Sequence, residues 1–299
     1  MARLTIGFKT SPQGVDWPTL EASWAAAGEL DVFDAGWLND HLTDPRQERG
    51  GASLEPLTLL AALAHLVPGK RLGVAVLSNT FRHPAVLAKQ ATVLDLVSGG
   101  RVILGLGAGW HEGEHEAFGI PLPPPGERFD RFESSLRVLR ALFSAGAAGG
   151  RGVSLDDPFV SLRGATNEPG PTGVGPAVWL GVQRRRGIGL AARYADGWVQ
   201  AGDRANDVAQ FRAIRERLLE ALDAEGRDPA AFEVAGQVFP AGGGARPSTA
   251  REREAVETGL AMARAGATHL VLGVAGAAGP GALRRIASEV AEPIREAVG

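Results

Sequence analysis

The chain has 299 residues, 31 basic against 34 acidic, for a net charge of −3, so it offers no basic surface for nucleic acid or an anionic membrane. It has no cysteine, which excludes disulfides, thiolate metal sites and cysteine nucleophiles. The opening Met-Ala-Arg-Leu-Thr-Ile-Gly-Phe is strand-like and lacks a signal-peptide core, and no apolar run approaches membrane-spanning length, so a cytoplasmic protein is expected.

Short apolar runs rich in β-branched residues alternate with longer helical patterns. Leu4 to Phe8 reads as a strand and Trp17 to Ala27 as a helix ending at Gly28. Val32 to Asn39 is strand-like and Leu57 to Leu66 helical. Arg71 to Leu77 is a strand, followed by a helix from Pro84 to Val97 with proline in its first turn. Val102 to Leu106 precedes a helix from Arg128 to Phe143, whose Phe129, Phe132, Leu136, Leu139 and Phe143 share one face. Four more strand–helix pairs follow: Ala177 to Val182 with Gly187 to Tyr194, Trp198 to Gln200 with Val208 to Leu222, Phe232 to Val238 with Ala250 to Ala265, and His269 to Val274 with Gly281 to Val298.

Strict alternation implies parallel strands joined by crossover helices, and eight such units in one stretch of 1–299 predict a single (β/α)₈ TIM-barrel domain. A doubly wound sheet, usually of fewer strands, is the competing architecture. Ser144 to Gly152 and Arg163 to Gly175 flank a short segment and read as an excursion between the fourth helix and the fifth strand. Ala241 to Ser248 reads as a further exposed loop at the C-terminal face. In such a barrel the residues after each strand converge on one face. Those residues are Asn39-Asp40-His41, Ser78-Asn79, Gly107 to Glu116, Gln183 to Arg186, Ala201-Gly202 and Gly276.

Two patterns in this set are misleading. His111-Glu112-Gly113-Glu114-His115 fits H-E-x-x-H, but zinc chemistry needs both histidines on one stable helix. Here Gly113 interrupts the motif and Gly119-Ile120-Pro121 ends it, so no metal site is expected. Gly105, Gly107 and Gly109 resemble a dinucleotide loop, but Trp110 replaces the last glycine and Glu112, Glu114 and Glu116 would repel a pyrophosphate. These glycines either let a cofactor ring approach the backbone or relieve crowding at a barrel corner.

Two segments together resemble the luciferase-like monooxygenase superfamily. One is Arg71-Leu-Gly-Val-Ala-Val-Leu-Ser-Asn-Thr-Phe-Arg-His-Pro-Ala85, continued by Leu87-Ala-Lys89, Asp95, Ser98-Gly-Gly-Arg101 and Leu104-Gly-Leu-Gly-Ala-Gly-Trp110. The other is Trp179-Leu-Gly181 with Leu190-Ala-Ala-Arg-Tyr-Ala-Asp-Gly-Trp198. Asn-Thr-Phe-Arg-His-Pro and the Gly-Trp exit are most similar to the branch that uses the deazaflavin coenzyme F420.

The resemblance implies a barrel with the cofactor ring at the strand ends and a non-proline cis peptide at Ala75-Val76 backing the ring. Gly107 and Gly109 would lie close to it. Ser78 and Asn79 would hydrogen-bond its pyrimidine edge, or else cap the helix before Pro84. His41 matches a proton shuttle or a substrate-facing hydrogen-bond donor, imidazole being the side chain that exchanges protons near neutral pH, with Asp40 as its orienting partner, or else the two are a capping Asp and a surface His. His83, just before Pro84, reads as structural.

The cofactor phosphate is expected at the N-terminus of the helix opening near Gly187, held by Gly181, Val182, Gln183, Arg184 and Arg185, with at least one of Arg184, Arg185 and Arg186 solvated. This loop is bulkier and more basic than the Gly/Ser-rich loop of the family. Alcohol- and sugar-oxidising deazaflavin enzymes carry a Glu where this chain has Trp110. Without that acid, dehydrogenation of an alcohol is not expected; Trp110 is instead expected to wall the substrate, and Glu114 to be a possible acid one turn on, or else solvated.

The expected activity is hydride transfer between F420 and a small organic substrate. The alternatives are an FMN-dependent monooxygenase supplied by a separate reductase and a non-catalytic flavin-binding barrel. The family resemblance also implies a homodimer.

Overall fold

The structure, a computed structural model, describes residues 3–47, 51–147, 149–240, 248–274 and 279–299. In chain order the elements are β1 (Thr5–Lys9), α1 (Trp17–Gly28), β2 (Ala35–Leu38), α2 (Pro56–Leu63), β3 (Arg71–Ser78), α3 (Pro84–Ser98), β4 (Val102–Gly107), α4 (Glu112–Ala117) and α5 (Pro125–Ala147). They continue with β5 (Val153–Leu155), β6 (Leu162–Ala165), β7 (Ala177–Leu180), α6 (Arg185–Tyr194), β8 (Gly197–Val199), α7 (Val208–Ala224), β9 (Glu233–Val238), α8 (Thr249–Arg264), β10 (His269–Gly273), α9 (Pro280–Ile286) and α10 (Glu292–Val298), the last two joined by a π turn, Ala287–Ala291.

The local signals act as the sequence implies. Asp16 accepts from the Thr19 amide to start α1. The His83 imidazole accepts from the Ala85 amide to start α3, so His83 is structural, and Gly99 ends that helix in the left-handed region.

Eight parallel strands close into a barrel in the order β1-β10-β9-β8-β7-β4-β3-β2. The gap in numbering is the expected excursion: an antiparallel hairpin of β5 and β6 lies between α5 and β7. The strands are nearly all apolar, as sheets covered on both faces require. Their outward residues pack under the helices. Inside the barrel Trp37, Trp179 and His269 form a triangle with ring centroids 5.2–5.4 Å apart. Truncating either tryptophan to Ala would cost about 3–5 kcal/mol.

Several expected boundaries shift by a few residues, two of them with a clear cause or consequence. The strand expected from Val32 begins at Ala35: Phe33 is buried against Phe8 in a turn, and Asp34 turns the chain by accepting from the Ile6 amide. The helix expected from Gly187 begins at Arg185. Among the expected loop and strand-exit residues, Gly276 and positions 241–247 lie outside the described residues. Among the described residues no helix is long and apolar enough to cross a membrane.

Candidate active site at the barrel mouth

β3 carries a one-residue bulge. Val74 pairs with Leu104, but Leu77 pairs with Leu106, so three residues on β3 face two on β4. The peptide at the bulge, Ala75-Val76, is cis. A Cβ on Gly107 or on Gly181 would lie 2.8 Å from a Val76 methyl. These two glycines therefore make room for the bulge itself, and crowding relief explains them rather than direct approach to a ring. Gly109 has φ +89, a conformation open to glycine, and a Cβ there would strike the Thr80 hydroxyl.

Asp40 and His41 leave β2 together and then diverge. The Asp40 carboxylate is buried and accepts from the Ser78 amide at 2.8 Å and from both terminal nitrogens of Arg82 at 2.6 and 2.9 Å. Arg82 also bonds Glu55. Asp40 therefore ties the β2 exit to the β3 exit, and the expectation that it orients His41 is corrected. The reason is geometric: in extended chain, successive side chains point to opposite sides.

The partner of His41 is Glu114. His41 Nδ1 lies 2.8 Å from Glu114 Oε2. The amides of Leu42 and Thr43 donate to Glu114 Oε1 at 2.7 and 3.2 Å. Glu114 is 0% exposed, so the expectation of a solvated side chain fails. It sits at the third position of α4, where the His111 side chain accepts its amide proton at 3.1 Å. A helix of six residues turns only Glu114 and His115 inward. His115 is spent structurally, with Nδ1 on the His111 carbonyl and Nε2 on the Thr80 hydroxyl, both at 2.7 Å. With both nitrogens engaged, His115 has none left for a metal.

This arrangement fixes the His41 tautomer. Nδ1–H donates to the carboxylate, so Nε2 carries the free lone pair. Trp110 stands edge-on to His41 with centroids 6.1 Å apart and is 67% exposed, so it borders the site on the solvent side. The Ser78 and Thr80 hydroxyls share a hydrogen bond at 2.8 Å. Asn79 is buried, and among the described residues its side-chain amide carries no hydrogen bond.

The loop after β7 meets the requirements for a phosphate. The first bond of the α6 ladder runs from the Ile188 amide to the Arg184 carbonyl, and no side chain caps the helix. The amides of Arg185, Arg186 and Gly187 therefore precede the ladder at the positive end of a ten-residue helix. Arg186 is committed elsewhere: it pairs with Asp130, donates to the Gly126 carbonyl at 3.1 Å and lies over Phe129. Arg184 and Arg185 are exposed, with no carboxylate within ion-pair distance among the described residues. Gln183 bonds Asp203 and Gln210 at 3.2 and 3.3 Å and serves the loop instead. The Val182 carbonyl accepts from Trp198 Nε1 at 2.7 Å.

Lys9 is a site residue that sequence reasoning passed over. It is the last residue of β1, 7% exposed, and its ammonium donates to the Ala75 carbonyl at 2.8 Å and to Gln237 Oε1 at 3.1 Å. Burial pulls its pKa down to about 8. Its parity with Thr5 and Gly7 on β1 is the signal that could have found it. The buried ammonium at the mouth and the uncapped α6 terminus beside two free arginines both fit a group joining an electron-rich ring to a phosphate.

Residues 12–291 match the family described as luciferase-like monooxygenase. The chain is 33% identical over 240 residues to a phthiodiolone/phenolphthiodiolone dimycocerosates ketoreductase of Mycobacterium sp. (strain JLS), covering 74% of this chain and 60% of that relative. It is 31% identical over 225 residues to an F420-dependent glucose-6-phosphate dehydrogenase of Beutenbergia cavernae, covering 75% and 62%. The chain thus spans about 60% of the length of these curated relatives. Among solved structures, an F420-dependent secondary alcohol dehydrogenase bound to an F420-acetone adduct superposes with a TM-score of 0.79 at 17% identity, covering 98% of this chain and 99% of that one. At that identity the likeness bears on the fold.

Proposed function

The chain belongs to the luciferase-like monooxygenase family, and from that premise we propose that it is an oxidoreductase moving hydride between coenzyme F420 and a small organic substrate. The observation that carries this reading is the His41–Glu114 pair at the strand ends. Relatives above 30% identity include an F420-dependent dehydrogenase and a ketoreductase, which is consistent with it.

The deazaflavin, when bound, supplies a ring carbon that accepts or gives hydride and reacts sluggishly with oxygen. The protein supplies the proton. His41 Nε2 is the open position of an imidazole whose other nitrogen is anchored, so it takes a proton from a substrate hydroxyl or returns one to a carbonyl oxygen. Glu114 holds the ring and stabilises its protonated form, as the carboxylate does in acid–base pairs of this type. With this pair in place, the site has acid–base chemistry without a carboxylate at position 110. Trp110 gives the substrate side an apolar border. Arg184, Arg185 and the α6 amides hold the phosphate, and Ala75, Val76 and Asn79 line the ring. The exposed stripe Val86, Val93 and Val97 on α3 supports a homodimer. The F420 reading needs no oxygen step; in the direction of carbonyl reduction it consumes reduced F420, which a separate enzyme would have to resupply, as one would for FMN.

The test is a titration of the protein with oxidised F420 and, in parallel, FMN, followed by quenching of tryptophan emission, and then turnover of the His41→Ala variant. Tight F420 binding with weak FMN binding is expected, with His41→Ala binding like the parent but turning over roughly 10²-fold more slowly. FMN binding in preference to F420 would overturn the cofactor assignment, and unchanged turnover would remove His41 from the chemistry.

A further inference from the structure

Lys9 is a buried cation whose only partners among the described residues are neutral. Its two acceptors lie on β3 and β9, which are two strands away from β1 on opposite sides of the closed barrel. The side chain therefore spans the barrel interior, over β2 and β10, at the C-terminal end of β1. Both acceptors are neutral carbonyls. Gln237 is fixed in that role because its own amide donates to the Gln200 carbonyl. Gln200 in turn is held by a bond from its amide to the Asp207 carbonyl at 2.9 Å. Among the described residues no carboxylate lies within ion-pair distance of Lys9.

An ammonium has three protons to donate, and two are spent here. A buried, uncompensated cation is costly, and structures retain one where it meets charge that arrives with a ligand. Lys9 is bonded to the carbonyl of the very peptide at the β3 bulge, so its charge lies directly behind the surface on which a ring would rest.

We propose that Lys9 is the electrostatic partner of the reduced cofactor ring, binding it in preference to the oxidised one, and a positioning residue for the β3 bulge. The chemistry is general. One hydride brings two electrons and one proton to a neutral deazaflavin or flavin ring. A ring that gained hydride would carry one further unit of negative charge until a second proton arrived, and Lys9 would be the group placed to meet it. A fixed cation behind the ring favours that anion over its neutral precursor. Phe239 lies 5.7 Å from the Lys9 ammonium and limits water on that side.

The inference rests on the ring-binding reading above, and the experiment separates the two. Affinities of the full chain for oxidised and reduced F420, with FMN in parallel, are measured anaerobically by tryptophan quenching and by competition, for the parent, Lys9→Met and Lys9→Arg. The parent should bind the reduced form more tightly. Lys9→Met should lose about tenfold or more of its reduced-form affinity and less than about threefold for the oxidised form, a fall in midpoint potential of ~30 mV per tenfold for a two-electron couple. Lys9→Arg should keep the preference. Equal weakening of both forms in Lys9→Met would reduce Lys9 to a prop for the bulge and overturn the proposal. A parent that binds cofactor without redox preference does the same, whether or not the variants fold. If neither cofactor binds the parent in either state, the ring site itself is lost, and this inference with it.

Discussion

Replacing Glu114 by Gln probes the pair at the mouth with almost no change of volume. Three N–H donors converge on this side chain: His41 Nδ1 at 2.8 Å and the amides of Leu42 and Thr43 at 2.7 and 3.2 Å. The glutamine carbonyl can keep both backbone donors, so the loop after β2 stays in place. Its NH₂ then faces His41 Nδ1. Two donors cannot share that contact, so the imidazole moves its proton to Nε2 and presents a donor where the parent presents a lone pair. A charge-assisted hydrogen bond worth about 1.5–3 kcal/mol is lost, which translates into turnover slower by roughly 10- to 150-fold, while cofactor affinity holds. Nitrogen-15 NMR of the imidazoles reads the tautomer directly, and deazaflavin fluorescence reads turnover on whichever substrate a panel of ketones and alcohols reveals. Glu114→Ala is the harsher control. It strips the acceptor from three donors at about 1–3 kcal/mol each and should show mainly as lost stability. If Glu114→Gln keeps the parent's tautomer and turns over within about twofold of it, Glu114 is only a brace for the loop.

Two further outcomes follow from the same structure. Replacing Arg184 or Arg185 by Ala should weaken cofactor binding by roughly 10- to 150-fold for whichever meets the phosphate, whereas Arg186→Ala, already paired with Asp130, should change it by less than about threefold; a triple variant that binds like the parent would place the phosphate elsewhere. His269 is fully buried between Trp37 and Trp179, with neither ring nitrogen hydrogen-bonded, and burial holds its pKa well below the usual histidine value. The unfolded chain takes up that proton below about pH 6.5 while the folded chain resists it, so stability falls with pH below that point by up to about 1.4 kcal/mol per unit. Denaturant melts at pH 7.5 and 5 should show the loss, and His269→Leu should flatten it; an unchanged slope would assign the acid sensitivity to other groups.

The barrel was readable because its signal repeats. Each apolar strand followed by a helix states the same topology, and an error of three residues at Val32 leaves the count of strands unaffected. That error has a physical source: Phe33 is buried in the same core as the strand, and hydrophobicity marks burial rather than extension. The bulge at Ala75-Val76 and the helix start after β7 were legible from motif context, since a β3 sequence or a helix start carries its own geometry.

What the sequence concealed are the pairings across strand exits. Asp40 beside His41 invites the idea of a dyad, yet adjacency in extended chain separates side chains, and the carboxylate that reaches His41 is 73 positions away. Glu114 was hard to place because its neighbours Glu112 and Glu116 are exposed, and only the short helix α4, closed after Phe118, turns it inward. Lys9 was missed for the opposite reason: a charged residue ending a strand reads as a solvated cap. In a closed barrel, however, parity decides. Thr5, Gly7 and Lys9 share the side of β1 that faces the axis, and Lys9 is the one nearest the mouth. Parity at the last strand residue is thus as informative as the loop beyond it. Applied to β9, it selects Gln237, the residue whose carbonyl holds Lys9. The two residues share one buried polar layer beneath the mouth, and the charge in that layer belongs to Lys9, because its partner is neutral. On the proposed reading, proton chemistry stays on the rim, at His41 and Glu114, and fixed charge lies beneath, at Lys9, so that a group handling the proton and a group meeting the charge of a reduced ring would act from different layers of the mouth.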